Sequence, residues 1–181
     1  MDRIMISGVS SGCGKTTVVC AVLQALVNRG LKTGAFKCGP DYIDPMFHSR
    51  IIGAKSANLD LHFFSENTLR FLLAKNAAGC DVSVIEGAMG FYDGAGLTTW
   101  KTSAYELALV TKTPVVLVVN ARGAALSVLA THIAQGAVTA QKIAPGAYGV
   151  ILPCFQPRAL KLLYLVAQAV AQAFLFDLVH L

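Results

Sequence analysis

The chain has 181 residues, of which 55% are hydrophobic and only 14% are charged, against about 25% charged in ordinary soluble domains. Disorder is excluded because it requires low hydrophobicity and high charge, and five cysteines, a sparse and odd number, exclude a disulfide-built scaffold. The same cysteine count predicts a reduced, cytoplasmic protein. The formal net charge is +5 without any run of lysine and arginine, so we expect no nucleic-acid partner, and we expect no membrane partner either.

Short β-branched runs alternate with longer helical stretches along the chain. Strands are predicted at residues 4–6, 33–36, 82–85, 115–119 and 149–152, and helices at residues 15–29, 66–78, 103–110 and 124–134. The run at 115–119 is continuously apolar, as expected for a strand that is buried on both faces. Strands that alternate with helices predict a doubly wound α/β fold, with a mostly parallel sheet and helices on both faces.

The composition changes toward the carboxyl terminus. The charged residues beyond position 136 are Lys142, Arg158, Lys161 and Asp177. The strongest candidate for a membrane span, residues 162–176, is shorter than the roughly 20 residues that spanning requires. We therefore predict an α/β domain over residues 1–152 and an apolar, helical tail of open role over residues 153–181.

The first chemical motif is the glycine-rich turn GVSSGCGKTT at residues 8–17, between a predicted strand and a predicted helix. Such a turn directs backbone N–H groups and the positive end of a helix at phosphate oxygens. Lys15 is expected to reach the β- and γ-phosphates and Thr16 to place its hydroxyl on Mg²⁺. The predicted nucleotide-binding residues are Ser11, Gly12, Cys13, Gly14, Lys15, Thr16 and Thr17. The first glycine of the strict pattern is displaced to Gly8, because Val9 stands in its place, so a variant phosphate loop is predicted; a glycine turn without a ligand is the alternative.

A second motif, residues 37–48, follows the predicted strand 33–36 and therefore lies at the carboxyl edge of the sheet, where open α/β sheets bind ligands. Asp41 and Asp44 stand three residues apart in a proline-pinned loop, and two such carboxylates are costly unless they face a cation or solvent. Asp41 is therefore a candidate metal ligand, with a solvated turn as the alternative. His48, at the end of this segment, is either a substrate contact or a packed side chain.

A third motif, residues 86–94, follows the predicted strand 82–85. An acidic residue at the end of an apolar strand is the usual place of a carboxylate associated with Mg²⁺ in phosphate-loop proteins. The predicted metal ligands are thus Thr16, Asp41 and Glu86, since Mg²⁺ prefers oxygen donors. Asp93 lies on a glycine-rich loop that can approach a ligand closely; a turn or helix-cap acid is the alternative.

These three motifs, with the triplet Asn58-Leu59-Asp60, closely resemble the amino-terminal ATP-binding domain of the cobyrinic acid a,c-diamide synthase family, within the dethiobiotin-synthetase-like amidotransferases. The run GPDYIDP at residues 39–45 is the most discriminating part, and the resemblance extends over residues 1–136. It implies a P-loop NTPase-like fold with ATP and Mg²⁺ as cofactors. It also implies amidation of the a and c acetate carboxylates of a corrin polycarboxylate in cobalamin biosynthesis.

The same resemblance implies that ATP converts a corrin carboxylate into an acyl phosphate, which ammonia then attacks. Lys15 would neutralise the phosphates, Asp44 and Asp93 would position the acyl phosphate or the ammonia, and Tyr42 would shape the substrate side. The glutaminase domain of the family, with its Gly-x-Cys-x-Gly and His-x-Glu motifs, is absent from this sequence. We therefore expect ammonia to come from a separate glutaminase domain or from solution. The choice among cobyrinic, hydrogenobyrinic and nickel-containing tetrapyrroles stays open, as does a homodimer.

Two alternative functions remain at this stage. A nucleotide-switched partition or scaffold ATPase would resemble this fold, but such proteins carry an additional lysine near Ser10 that this sequence lacks. The second alternative is a truncated nucleotide-binding domain that binds nucleotide without turnover. Asn120 stands where relatives usually carry aspartate, and Pro153 follows the predicted strand 149–152, where an adenine-recognising asparagine is expected.

Overall fold

The structure, a computed structural model, describes residues 2–96, 98–120 and 148–151. Its elements in chain order are β1 (Asp2–Gly8), α1 (Lys15–Asn28), β2 (Thr33–Cys38), α2 (Ile43–Phe47), a π-helical turn (His48–Ile52), β3 (Lys55–Leu59), α3 (Glu66–Ala77), β4 (Val82–Glu86), α4 (Ala104–Thr111), β5 (Val115–Asn120) and β6 (Tyr148–Ile151). The predicted helix 124–134, Pro153 and the predicted tail lie outside the described residues.

Six strands form one sheet in the order β3-β2-β4-β1-β5-β6. Strands β1 to β5 are parallel, and β6 pairs antiparallel with β5 at one edge. The predicted α/β fold with a mostly parallel sheet is therefore confirmed, and each predicted element in the described ranges ends within two residues of its observed bounds. Within the same ranges, no helix has the length and apolar character that crossing a membrane requires.

Apolar side chains cover both faces of the sheet. Successive residues of a strand point to opposite faces, so in β1 Ile4 and Ile6 pack on the α1 side, while Met5 packs against α3 and α4. Burial on both faces explains why the central strands have continuous apolar sequences. The carboxyl ends of β1, β2 and β4 are consequently held side by side on a rigid base.

The segment between β2 and β3 differs from the prediction. The proline-pinned loop expected over residues 37–48 instead contains α2 and leads into the π-helical turn. Pro45 is the third residue of α2, in the first helical turn, where a missing N–H removes no intrahelical bond. Every residue of α2 is at least partly exposed, so no amphipathic pattern marks the helix in the sequence.

The sequence analysis did not predict the edge strand β3, because only the last residue of this strand is fully buried.

The guanidinium of Arg3 joins the first strand to the end of α4. Its Nε donates to Thr113 Oγ1 at 3.1 Å, and its Nη2 donates to the Thr111 carbonyl at 2.6 Å. We predict that Arg3→Met lowers the free energy of unfolding by about 1.5–3 kcal/mol, because hydrogen bonds to a charged group are lost. Urea denaturation would measure this loss. The matched change of the exposed Lys75 on α3 to Met should have little effect, and an equal loss in both variants would contradict the assignment.

Candidate phosphate-binding cleft

A cleft of about 460 Å³ opens at the carboxyl ends of β1, β2 and β4, a size within the range of small-ligand sites. Its walls come from the glycine turn after β1, from the end of β2 and the turn that follows, and from the end of β4. The lining residues are Ser11, Gly12, Gly14, Lys15, Thr16, Thr17, Lys37, Asp41, Glu86, Gly87, Ala88 and Met89. Three segments that are distant in sequence thus share one cleft.

The glycine turn presents the amino end of α1 to this cleft. Gly12 and Gly14 adopt left-handed backbone conformations, with φ of 71° and 98°, which glycine adopts without strain. Gly14 caps α1, so N–H groups of the first helical turn, which have no intrahelical acceptor, lie at the cleft. The Lys15 side chain is nearly buried, and its Nζ donates to the Ser10 carbonyl at 2.8 Å. The turn therefore gathers several donors for an anion.

The displaced glycine has a packing explanation. A Cβ atom on Gly8 would collide with the Cys13 Sγ and would lie 3.0 Å from the Lys15 Cγ. Cys13 is 2% exposed and packs with the core on the α1 side, rather than lining the cleft. In this variant loop, the buried Cys13 fills the space that a side chain at position 8 would need.

A buried ion pair lies on the floor of the cleft. The parallel register places Lys37 of β2 beside Glu86 of β4, and Glu86 is completely buried. Glu86 Oε1 accepts from Lys37 Nζ at 2.7 Å and from Thr16 Oγ1 at 2.6 Å. Lys37 Nζ also donates to Asp44 at 2.7 Å and lies 3.9 Å from Asp41 Oδ2. Burial alone would lower the pKa of Lys37, but the Glu86 and Asp44 carboxylates outweigh it and raise that pKa, so Lys37 is a cation.

The predicted metal ligands meet at this floor. Glu86 Oε2 is buried and has no hydrogen-bond partner among the described residues, while Thr16 donates to the other oxygen of Glu86 and Asp41 lines the same cleft. Within the described ranges, no three His, Cys, Asp or Glu side chains converge as a metal cage. Mg²⁺ usually takes one or two protein carboxylates and completes its shell with phosphate oxygens and water. These residues therefore fit a Mg²⁺ that is shared with a nucleotide.

The other predicted site residues lie around the cleft rather than in its lining. Asp44 is connected to the cleft by the hydrogen bond that it accepts from Lys37, which is a lining residue. Asp93 Oδ2 accepts from the Gly90 backbone N–H at 2.7 Å and so holds the loop after β4. Tyr42 is 79% exposed and directly precedes α2.

The sequence-based reasoning missed Lys37 and the lining segment 87–89. Lys37 stands one residue beyond the predicted strand 33–36, at the same strand-end position as Glu86, but the rule that singled out Glu86 concerns acidic residues only. Residues 87–89 lay within the third motif but carry no ionisable side chain. Met89 has a φ of 47° and is half exposed at the cleft, which no sequence signal indicates.

A thiol and an imidazole pack beside Glu86. Cys20 Sγ lies 3.8 Å from His48 Nε2, and His48 Nε2 lies 4.0 Å from Glu86 Oε2. Burial, followed by the Glu86 and Asp44 charges, raises the pKa of Cys20 to about 11. Burial lowers the pKa of His48 despite the opposing effect of Glu86. The pair is neutral near pH 7 and is no activated nucleophile; His48, at 1% exposure, is a packed side chain.

Comparisons with known proteins agree with this geometry. The sequence profile of a family described as CobQ/CobB/MinD/ParA nucleotide binding domain matches residues 4–173. The chain is 47% identical over 136 residues to a cobyrinate a,c-diamide synthase of Thermoplasma volcanium, and 44% identical over 137 residues to one of Listeria monocytogenes. Each match covers 75% of this chain, and the chain spans about 30% of the length of these relatives.

The contact between Gly8 and Cys13 generates a prediction. We expect Gly8→Ala to lower the free energy of unfolding by about 1–3 kcal/mol, because the added methyl group overpacks the loop against the thiol. Adding Cys13→Ala to this variant should restore most of the loss, and Cys13→Ala alone should cost less than Gly8→Ala. Chemical denaturation of the four proteins measures the coupling. Additive effects of the two changes would contradict the proposed contact.

Proposed function

Because the chain belongs to the CobQ/CobB/MinD/ParA nucleotide binding domain family, we propose that it holds ATP with Mg²⁺ in the cleft and transfers the γ-phosphoryl group to a corrin carboxylate. The observation that carries this proposal is the convergence of the α1 amino end, two lysines and the buried Glu86 on one cleft. The cobyrinate a,c-diamide synthases similar to this chain support the corrin acid as the substrate class.

The phosphate side of the reaction is assigned to the glycine turn. Backbone N–H groups at the start of α1 bind the phosphate oxygens, and Lys15 leaves the Ser10 carbonyl to neutralise the β- and γ-phosphates. Lys37, kept charged by Glu86 and Asp44, adds a second fixed cation to stabilise charge on the transferred group. Thr16, Asp41 and Glu86 would hold Mg²⁺, which supplies further charge neutralisation at the phosphates when bound.

The chemistry needs a phosphoryl step because a carboxylate is a poor electrophile. A carboxylate oxygen attacks the γ-phosphorus and the bond to ADP breaks, which gives an acyl phosphate. Ammonia then attacks the carbonyl carbon, inorganic phosphate leaves, and a proton is lost to give the amide. Ammonia would be released from glutamine in a separate glutaminase domain or supplied free. Asp44 and Asp93 are proposed to position the reacting groups, Asp44 beside Lys37 and Asp93 through the loop that it holds.

An apolar surface adjoins the cleft and suits the remainder of a large, flat substrate. We call it the α2 surface; it consists of Tyr42, Ile43, Met46, Phe47 and Ile51, with exposed fractions of 79%, 76%, 50%, 45% and 68%. It begins next to Asp41, which lines the cleft. A carboxylate that reaches the γ-phosphate must bring its macrocycle against the rim of this cleft. We therefore assign the corrin ring to the α2 surface, including Tyr42.

Two alternative functions predict different behaviour with nucleotide and with corrin acids. A partition or scaffold ATPase would dimerise when it binds nucleotide and would ignore corrin acids. A domain without turnover would bind ATP without releasing phosphate. Phosphate release with and without a corrin acid, together with the oligomeric state in each nucleotide condition, separates these functions; a constitutive homodimer agrees with the proposed synthetase.

The proposal predicts the effect of removing one lysine. With Mg²⁺, ATP, ammonia and a corrin acid, Lys15→Ala should lower the rate of amide formation by roughly 10²–10³-fold, as removal of one charge-stabilising donor does elsewhere. The product amides are counted by mass spectrometry. The surface change Lys75→Ala is the control. Full activity of Lys15→Ala in a folded protein would remove the phosphate loop from the mechanism.

The α2 surface predicts a change in substrate affinity. We expect Ile43→Ser to raise the KM for the corrin acid about tenfold, because apolar contact area with the macrocycle is lost. The KM for ATP should not change. Phe71→Ser is a matched control, since Phe71 is similarly exposed at 63% but lies on α3, which packs on the opposite face of the sheet from α1. Equal effects of the two substitutions would refute the assignment.

A further inference from the structure

Asn58 lies on the edge strand β3 and takes no part in lining the cleft. The parallel register pairs Asn58 with Lys37, which in turn pairs with Glu86. A row of three polar residues therefore crosses the carboxyl edge of the sheet, from the edge strand to the centre. The two inner members form the ion pair on the cleft floor, and the outer member bonds to a different partner.

The amide of Asn58 ties down the turn that carries Asp41. Asn58 Nδ2 donates to the Asp41 carbonyl at 2.7 Å. The N–H of Gly39 donates to the carbonyl of Leu59 at 3.0 Å. Two hydrogen bonds, one donated by Asn58 and one accepted by Leu59, thus fix the chain between the end of β2 and the start of α2.

This turn determines where the Asp41 carboxylate points. Asp41 Oδ1 accepts from the N–H groups of Ile43 at 2.9 Å and Asp44 at 3.3 Å, so this oxygen is committed to the first turn of α2. The other oxygen, Oδ2, lies 3.9 Å from Lys37 Nζ. The backbone position of Asp41, which Asn58 holds, therefore sets the direction of the oxygen that faces the cleft.

The amide nitrogen of Asn58, and not its oxygen, makes the contact with the Asp41 turn. Asn58 Oδ1 is buried without a hydrogen-bond partner in the described part of the chain. An unmet buried acceptor is costly, and an apolar side chain of similar size would avoid that cost. Only the amide nitrogen is satisfied here, by the turn of Asp41. A carboxylate at the same position has no such donor.

We infer that Asn58 is a positioning residue for the metal–nucleotide site, acting through the Asp41 turn. It does not line the cleft; it holds the Asp41 carboxylate in the place from which that group would meet Mg²⁺. The metal role of Asp41 rests on the proposed function, whereas the tether between Asn58 and the turn does not.

The first experiment compares Asn58→Asp with wild type. Dissociation constants of a fluorescent ATP analogue are measured with Mg²⁺ and with EDTA. We expect the Mg²⁺-dependent gain in affinity, which is the ratio of the two dissociation constants, to fall by roughly three- to tenfold, the equivalent of one hydrogen bond. The control is Ser56→Ala, two residues earlier on the same face of β3, where the buried hydroxyl has no partner among the described residues. An unchanged Mg²⁺-dependent gain in Asn58→Asp would overturn the inference.

A double-mutant cycle separates positioning from a general structural role. If Asn58 acts through Asp41, then Asn58→Asp should cause no further loss of Mg²⁺-dependent affinity in an Asp41→Asn background. A loss that adds in full to that of Asp41→Asn would overturn the inference, because it would show an effect that bypasses Asp41.

Hydrogen exchange without nucleotide gives an independent readout. The backbone N–H groups of Ile43 and Asp44 donate to Asp41 Oδ1. Their hydrogens should exchange faster in Asn58→Asp than in wild type, and Ser56→Ala should leave their exchange rates unchanged. Equal exchange in all three proteins would overturn the tether. If wild type bound no nucleotide, the proposed function would fail, and the exchange rates would still decide whether Asn58 holds the turn.

Discussion

The architecture of the site depends on one buried ion pair. Glu86 is completely buried at the end of the central strand β4, and Lys37 on the neighbouring strand and Thr16 on α1 both donate to it. Removing one partner of a buried pair typically costs about 3–5 kcal/mol, because the other charge remains unpaired in a poorly solvating environment. The same ammonium also bonds to Asp44, so this interaction connects two strands, α1 and α2.

The ion pair explains how a mostly exposed segment is held beside a rigid cleft. Helix α2 buries none of its residues, so apolar packing contributes little to its position. It is instead fixed by Asp44 bonding to Lys37, by the Asp41 turn, and by the buried His48 and Ile52 of the π-helical turn that follows. Polar tethers hold α2 in place while its apolar side chains Ile43, Met46 and Phe47 stay exposed.

The sheet topology places polar residues together without a sequence signal of their proximity. Asn58, Lys37 and Glu86 belong to β3, β2 and β4, and each pair of neighbours is joined by parallel register. Strand β4 enters the sheet between β2 and β1, which brings Glu86 next to a lysine 49 positions earlier. Ligands of open α/β sheets bind at this carboxyl edge, and here the edge carries both the charge pair and the amide that bonds to the Asp41 turn.

The sequence by itself determined the α/β class, the glycine turn between β1 and α1 and the acidic residues after two strands, because these follow from local periodicity, glycine conformations and strand ends. It did not reveal α2, which has no buried face, or the edge strand β3, of which only Leu59 is fully buried. The contacts of Lys37 with Glu86 and of Asn58 with the Asp41 turn emerged only from the tertiary structure. Both depend on strand register, a pairing between distant segments that is fixed when the whole sheet buries its two apolar faces.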